Sequence, residues 1–555
     1  MRKQTKLVAV LSTAALLALG ASMSSFAATG WAEENGTWVY YDKNEDLVTE
    51  RWEKSGDNWF YLNEDGEMAT DVVVEYNDNY YYVDDNGSMV TNRWVSVDNE
   101  DYGDDDDQPA NHWYYFGANG KAYKAPTNSS GTSWKVINGK KYTFDDEGKM
   151  LYGWIGTDGE RKTGDDAWQQ GAYYAGDEND GAQAIGWAYL EIVDENYADD
   201  VTYTGNSSYN VFDDENQTRW FYFKSNGKKM TNEKGTTING RKYSFDADGR
   251  MNAEWVIYDA SPTKATAATA SAAASAGQGS TDYTESWRYY GNPEDGARVT
   301  KGWFKVVPDS YLNTDDYDDD ADAWYYSDKD GKLVASKIQT ISGKKYLFDH
   351  KGKMKSGLKF VAVSGKDVSD IAADDKADRY DTGSDFKDNA AKWIDKNYAA
   401  YYFGGGEDGA MKTGKQTVSI DGENYTFLFN KSGGSQGAGK TGVDNNKFYL
   451  AGMLLTADKD DKYVVVKKTT TANGKEVYET LTSDEFIKET VVGGKQTKVG
   501  NKEYDDYRVV TDTNNEYKLI NTAGTIQKNK DKAKDGLDYC FKLKGEKIEA
   551  IYLEK

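Results

Sequence analysis

Residues 57–73 read DNWFYLNEDGEMATDVV, and residues 78–94 read DNYYYVDDNGSMVTNRW. The same order of residue types returns after 21 positions: two or three aromatics, an acidic turn that ends in Gly, then Met and Thr. A spacing kept at several independent positions indicates a tandem repeat. The positions that keep it are Trp31, Trp52, Val73 and Trp94, then Trp38, Trp59 and Tyr80, and then Leu47, Met68 and Met89.

Each repeat has the pattern of a β-hairpin. Residues 59–62 alternate like a strand, residues 63–66 form an acidic turn in which Gly takes a positive φ, and residues 67–70 are expected to return as the second strand. An isolated two-stranded hairpin is marginal in water, so its aromatic face needs a neighbour. The sequence therefore predicts an all-β fold, a solenoid of stacked hairpins with inserted acidic loops and a C-terminal β region.

Beyond residue 100 the period lengthens to about a hundred residues, and three kinds of hairpin alternate. One kind keeps the strand Trp, one carries Lys in its place, and one has a longer turn. Lys replaces Trp at Lys141, Lys242 and Lys345, in INGKKYTFDDEGKM (137–150) and its two counterparts. Acidic insertions precede the Trp-bearing hairpins at 98–108, 193–205 and 313–323 and are predicted to be loops.

The chain divides by composition into six predicted segments. Residues 1–27 have the basic start, apolar run and small-x-Ala end of a secretory signal peptide, with cleavage expected after Ala27. Residues 260–281 form an Ala/Ser/Thr linker of low complexity. The other segments are the three short repeats at 28–100, a long module at 101–259, further long modules at 282–440, and divergent repeats or a small β domain at 441–555.

Composition excludes several classes of protein. The net charge of −26 becomes −29 once the three cations of the signal peptide are removed, so bulk charge will not bind nucleic acid or anionic lipid. No later stretch approaches the ~20 apolar residues of a membrane span. A single cysteine, Cys540, excludes an internal disulfide framework.

The motifs GTWVYY (36–41), DNWFYLNEDGEMAT (57–70) and HWYYFGANGK (112–121) resemble the choline-binding and glucan-binding cell-wall repeats of Gram-positive bacteria. The INGKKYTFDDEGKMLYGW unit (137–154) looks like the related repeats of clostridial surface proteins, glucosyltransferase tails and toxin C-termini. The resemblance covers about residues 28–440. It implies aromatic cages between successive hairpins that hold a quaternary ammonium or a sugar.

In that family an opening Trp, a strand Trp, an aromatic of the next hairpin and often a Met form the cage. Carried onto this chain, the resemblance groups Trp31 and Trp38 with Tyr61. It groups Trp52 and Trp59 with Tyr82, with Met68 nearby. In the third repeat Val73 and Tyr80 replace both Trp residues. The remaining candidates are Trp94, Trp113, Trp187, Trp220, Trp303 and Trp324.

Sequence patterns for catalysis or metal binding are weak. The two histidines, His112 and His350, lie in different modules, and Cys540 is far from both in sequence, so no nucleophilic set or His/Cys metal site is expected. The acidic runs do not match a calcium-binding loop, and no phosphate-binding motif is found. We therefore expect no catalytic residues, metal or cofactor.

Three functions remain open from the sequence. The first is a secreted, non-catalytic surface protein that is held non-covalently at the cell wall by choline or a wall glycan. The second is an adhesin or scaffold that binds an external polysaccharide such as an α-glucan. The third is a structural spacer that presents its loops to a partner. The sequence does not indicate the oligomeric state.

Overall fold

The computed structural model describes residues 29–103, 108–126, 130–195, 212, 214–258, 280–372 and 381–555. The predicted signal peptide, most of the Ala/Ser/Thr linker and most of the second acidic insertion lie outside the described residues. The chain divides into two compact units. Unit 1 comprises Met1–Val193 and Phe221–Met230, and unit 2 comprises Asp194–Trp220 and Thr231–Lys555.

Unit 1 begins with five antiparallel hairpins, numbered here in chain order. Hairpin 1 is Gly30–Glu34 with Thr37–Tyr41, hairpin 2 is Arg51–Ser55 with Asn58–Leu62, hairpin 3 is Val72–Tyr76 with Asn79–Val83, hairpin 4 is Arg93–Asp98 with Asn111–Phe116, and hairpin 5 is Lys135–Ile137 with Lys140–Tyr142. A four-stranded sheet follows, in the order Arg161–Lys162, Gly153–Ile155, Tyr173–Asp177, Asp180–Gln183. The unit also holds the short helix Ala167–Gln170 and the strand Gly186–Val193, and the strand Asn216–Phe223 gives residues to both units.

The hairpins are present as predicted, but the partner of each aromatic strand is different. Asn58–Leu62 pairs with the preceding strand Arg51–Ser55 across the tight turn at Gly56 and Asp57. The predicted return strand makes only isolated bridges, from Met68 to Leu62 and from Glu67 to Val39 of hairpin 1. The prediction was wrong on this point because the sequence offers Gly-containing turns on both sides of the aromatic run.

The segment after the acidic turn links consecutive repeats instead. The amide nitrogen of Met89 donates to the carbonyl oxygen of Trp59 at 2.8 Å, and that of Met150 donates to the carbonyl of Trp113 at 2.7 Å. The same bond joins Ala122 to Tyr80 at 2.8 Å. One backbone bond per repeat therefore attaches each hairpin to the one that follows, as stacking into a solenoid requires.

Glycine in each acidic turn is needed for two physical reasons. Gly66 and Gly87 have φ of +81° and +75°, which L-residues with a Cβ adopt only with strain. A Cβ on Gly87 would also lie 2.8 Å from the sulfur of Met68, and one on Gly66 would lie 2.7 Å from the side chain of Leu47. The Met or Leu of one repeat therefore packs directly under the turn of the next.

Unit 2 opens with three two-stranded hairpins, Glu233–Ile238 with Arg241–Phe245, Glu254–Ile257 with Trp287–Tyr290, and Gly302–Val306 with Ala323–Ser327. A six-stranded sheet follows in the order Met354–Lys355, Lys344–Phe348, Lys337–Ile341, Asp367–Ala372, Leu358–Ser364, Ala399–Tyr402. The helices among the described residues of the unit are Thr281–Glu285, Thr314–Asp318, Gly383–Asp395 and Ser483–Phe486.

Three further sheets complete unit 2. The first has the order Gly414–Ile420, Glu423–Phe429, Met453–Leu454, Lys447–Leu450, Gly442–Asp444. The second is Glu476–Leu481, Tyr463–Thr470, Tyr517–Asn521, and the third is Gln496–Val499, Lys502–Val509, Lys547–Glu554, Tyr539–Lys544, Ala533–Lys534. One core contains buried residues from both sides of position 441, among them Phe360, Phe427 and Val466. The predicted division there stays a prediction.

None of the helices named for unit 2 was predicted from the sequence. Gly383–Asp395 begins with a capping box, in which Asp385 N donates to the Thr382 hydroxyl at 3.1 Å and Thr382 N donates to the Asp385 carboxylate at 3.0 Å. The third acidic insertion, expected to be a loop, contains the short helix Thr314–Asp318. The fold is nevertheless mostly β and built of many hairpins, as predicted.

Candidate aromatic binding site

The tryptophans that open the repeats pack between consecutive hairpins. The ring of Trp31 lies 5.2 Å from Tyr40 of its own hairpin and 5.3 Å from Phe60 of the next, in edge-to-face geometry. Trp52 lies 5.1 Å from Tyr81 of the following hairpin. Such aromatic pairs contribute about 0.5–1.5 kcal/mol each beyond the area they bury. The opening tryptophans therefore hold the stack together.

Trp94 has the same position in hairpin 4. Its ring centroid lies 5.2 Å from that of Tyr115, 4.9 Å from that of Tyr142 and 5.8 Å from that of Phe144. The last two belong to hairpin 5 and the turn after it, so a Lys-bearing hairpin still supplies the aromatics that the preceding Trp needs. These units therefore complete the stack even though Lys replaces the strand Trp.

The strand tryptophans, which stand in the second strand of hairpins 1, 2 and 4, keep part of their surface exposed to solvent. Trp38 and Trp113 are half-buried, and Trp59 is 41% exposed. Antiparallel register places Trp38 directly across from Glu33 and Trp113 across from Ser96. Of these three strand tryptophans, Trp59 is the most exposed to solvent.

A groove of about 1100 Å³ lies beside Trp38 in unit 1. It is bounded by the turns of hairpins 1 and 2 and by the segments that follow hairpins 2 and 3. Its lining includes Trp38, Phe60, Met68 and Met89. Its charged side chains are Asp57, Asp84, Asp85 and Arg93. One indole, one phenyl ring, two thioethers and an excess of carboxylates thus meet in one open cleft.

The structure changes the predicted partner of each cage by one residue. Tyr61 is absent from the lining of the groove, and Phe60 takes that place. Likewise Trp52 contacts Tyr81, whereas Tyr82 is buried, lies 6.0 Å from Phe116 and donates its hydroxyl hydrogen to Asp71. Successive strand residues point to opposite faces, so an error of one position changes the face.

Tyr82 is fixed in its buried position by its surroundings. Burial, and secondly the hydrogen bond to Asp71, raise the pKa of its phenol well above the usual range. Tyr61 lies 5.3 Å from Trp52 of its own hairpin and 6.1 Å from Tyr76. Both tyrosines therefore serve the packing of their hairpins.

Lysines of the chain itself lie over two of the strand aromatics. The Nζ atom of Lys54, directly across the hairpin from Trp59, is 6.0 Å from the centroid of its ring. The Nζ atom of Lys124 is 5.3 Å from the ring of Tyr80. Within the described part of the chain, no lysine or arginine is found over Trp38 or Trp113. The sequence pattern did not reveal this difference, because it depends on strand register.

The other predicted residues lie outside this groove. In unit 1, Trp187 packs 5.1 Å from Tyr222. In unit 2, the carbonyl of Trp220 accepts the amide hydrogen of Met251 at 2.8 Å, the same inter-repeat bond seen in unit 1. Trp303 lies 4.8 Å from Tyr346 and 6.2 Å from Trp324. Trp324 stands across the strand from Lys305, which is 2.7 Å from Glu407.

Unit 2 has a second groove, of about 690 Å³, that is lined mainly by polar residues. Lys353 in its wall is 2.8 Å from Asp316. The Nζ atoms of Lys392 and Lys396 lie 4.9 and 5.4 Å from the ring of Trp393, which is itself buried. This ring is therefore already covered by cations of the protein.

In the described residues no group of three or more His, Cys, Asp or Glu side chains is arranged to hold a metal ion. The helices found there are also too short or too polar to cross a membrane. Cys540 is buried, and burial raises the pKa of its thiol. These observations leave the aromatic groove of unit 1 as the most developed candidate site.

Comparison with protein families identifies the same segments that the aromatic repeats occupy. Residues 48–94 match the choline-binding repeat family, and residues 110–122 match a second family described as a putative cell wall binding repeat. The chain carries choline-binding repeats. These repeats span hairpins 2 and 3 completely, together with the aromatic strand of hairpin 4. Proteins with such repeats associate with the cell-wall surface.

One curated relative of this chain is a glucosyltransferase. Glucosyltransferase-S of Streptococcus mutans serotype c is 25% identical over 276 residues. The aligned region is 44% of this chain but only 16% of the glucosyltransferase. The shared part is thus a small fraction of the enzyme.

Solved structures from Streptococcus pneumoniae also align with this chain. Choline binding protein F of Streptococcus pneumoniae is 19% identical, with 70% of this chain and 98% of that protein covered at a TM-score of 0.34. The modular autolysin LytC of the same organism is 17% identical, with 60% of this chain and 55% of that one covered at a TM-score of 0.30.

Proposed function

We propose that this chain is a secreted, non-catalytic surface protein that binds a cell-wall polymer through choline groups seated in its choline-binding repeats. The groove beside Trp38 carries the proposal. It offers an indole and a phenyl ring to a quaternary ammonium, thioethers to its methyl groups, and Asp57, Asp84 and Asp85 to its charge.

The energetics fit a weak site used many times. A desolvated cation on an aromatic face gains about 1–2 kcal/mol, and thioether contacts add a little more. A single groove of this kind binds weakly. Several along one chain would raise the avidity for a polymer by orders of magnitude, because each later contact is intramolecular.

The experiment is a titration of the mature chain with choline chloride in which intrinsic Trp fluorescence is the signal. Sodium chloride at the same concentrations is the control for ionic strength. Saturable quenching or a blue shift that sodium chloride does not reproduce supports the proposal. Trp38→Ala should then weaken the response, while Tyr189→Ala, which removes an exposed aromatic outside the groove, should not. A flat response at high choline would exclude quaternary-ammonium binding.

A second function is favoured by a specific observation, the alignment with a glucosyltransferase. The same ring faces can stack on the apolar face of a sugar, so the chain would bind an external α-glucan as an adhesin or scaffold. Retention on immobilised glucan that free choline does not displace would support this alternative. If free choline displaces the chain from the glucan, the wall polymer is the better assignment.

A further inference from the structure

The three strand tryptophans of hairpins 1, 2 and 4 face three different cross-strand neighbours. Glu33 is paired with Trp38, Lys54 with Trp59, and Ser96 with Trp113. The family pattern treats these positions as equivalent, since each repeat keeps its strand aromatic. The strand register shows that only hairpin 2, among these three, places a lysine ammonium group directly across from its strand tryptophan.

Lys54 is well placed to occupy the ring of Trp59. Its ammonium nitrogen stands 6.0 Å from the ring centroid, within the range in which a cation is attracted to an aromatic face. The described residues place no carboxylate in ion-pair contact with Lys54, and its ammonium group is paired with the ring of Trp59. Lys305, the corresponding lysine beside Trp324, is instead held by Asp322 at 3.1 Å and by Glu407.

The rest of the second cage resembles the first. Trp52 contacts Tyr81 at 5.1 Å as Trp31 contacts Phe60 at 5.3 Å, and Met89 follows hairpin 3 as Met68 follows hairpin 2. The main chemical difference at the strand position is therefore the replacement of Glu33 by Lys54.

We propose that Lys54 is a specificity-determining residue that fills the Trp59 cage with the protein's own ammonium group and makes this repeat reject a quaternary ammonium. The inference rests on the proposed function, because it assigns that function unequally to the repeats. An external cation must displace a tethered one, whose effective concentration at the ring is of millimolar order or above, and it must also approach a fixed like charge. Trp38, whose neighbour is Glu33, is the open cage.

Lys124 provides an independent case of the same arrangement. It lies over Tyr80 at 5.3 Å but comes from the segment after hairpin 4 instead of from the paired strand. That third repeat also lacks an opening Trp, because Val73 stands there. Removing Lys124 would therefore not complete a cage, and Lys54 is the residue to test.

The test is calorimetric titration of the full mature chain with choline chloride. Lys54→Gln removes the charge at similar length and should add about one bound choline per chain, or raise the affinity of the weakest class of sites about threefold or more. Lys54→Arg keeps a cation over the ring and should behave as the wild type. Lys43→Gln removes an equal charge from the exposed turn that follows hairpin 1 and should change nothing.

A second substitution locates any gain. Trp59→Ala combined with Lys54→Gln should abolish the added binding, while Trp59→Ala alone should leave wild-type binding unchanged. If the wild type binds choline and Lys54→Gln does not increase that binding, the inference is overturned and the proposed function stands. The same holds if Lys43→Gln increases choline binding as much as Lys54→Gln does. A wild-type chain that binds no choline, beside a Lys54→Gln variant that binds it, would overturn the proposed function and support the role of Lys54. No binding by either chain overturns both.

Discussion

The main-chain amide of Met68, in the segment after hairpin 2, donates to the carbonyl oxygen of Trp38 in hairpin 1 at 2.7 Å. The same two side chains line the groove of unit 1. The bond that stacks the repeats therefore also sets the distance between the indole and the thioether of the candidate site. Packing and recognition are joined at one pair of residues, so variants have to be chosen to separate them.

Gly87→Ala should destabilise unit 1 by about 1–2 kcal/mol, because the new Cβ meets both a positive φ and the side chain of Met68. Gly56→Ala is the matched control. Its φ is +60°, but the space around it is open, so it should lose only the conformational part, about 1 kcal/mol. Chemical denaturation followed by near-UV circular dichroism would measure both. Equal losses would show that Met68 does not restrict the turn.

Trp94→Ala should lower the free energy of unfolding by about 2–4 kcal/mol, because it removes aromatic contacts to both its own and the next hairpin. Trp59→Ala, at a ring that is 41% exposed, should lose less than about 1 kcal/mol. Thermal unfolding of both variants would test this ranking. A larger loss at Trp59 would mean that strand tryptophans, and not the opening ones, hold the stack.

Asp145 should make unit 1 less stable as the pH rises from about 4 to 7. Burial raises the pKa of this carboxyl to about 6, although the amide groups of Lys149 and Glu147 donate to it at 2.7 and 3.0 Å. With the folded pKa above the unfolded one, the native state binds more protons in this range, so its stability is greatest below pH 4 and is lost through pH 6.

The expected size of this effect is about 1 kcal/mol, because partial exposure of the carboxyl reduces the free energy that its raised pKa would otherwise represent. Asp145→Asn can still accept the amide hydrogen bonds and should remove this pH dependence. The difference in melting temperature between wild type and variant, followed from pH 4 to pH 7, isolates Asp145 from the other acids. A constant difference over that range would contradict the prediction.

Thr382→Ala should destabilise the helix Gly383–Asp395 by about 0.5–2 kcal/mol, since it removes the side chain that caps Asp385 N. Ser384→Ala, in the exposed first turn of the same helix, should be nearly neutral. Hydrogen exchange of amides in this helix would show faster opening in the first variant only. Similar protection in both variants would rule out the cap as a source of stability.

The repeat and its hairpins could be predicted from the sequence because a fixed spacing survives at several positions at once. The partner aromatics could not, because Tyr61 and Phe60 are adjacent and only the pairing of Asn58–Leu62 with Arg51–Ser55 decides which one faces the preceding hairpin. The helix Gly383–Asp395 did leave a signal. Thr382 and Asp385 form a capping box, and Phe386, Ala390 and Trp393 follow at helical spacing. The helix was not predicted because the segment was interpreted as part of the hairpin repeats that surround it.

The inter-repeat bonds of unit 1 have a mechanical consequence. Each bond joins only neighbouring parts of the stack, as from Met89 to Trp59 and from Met150 to Trp113. A force applied to the two ends would load these bonds in series, so the repeats would open one after another. Each 21-residue repeat would release about 70 Å of chain as it opened. Pulled in this way, the short repeats would extend in steps and absorb work at every step.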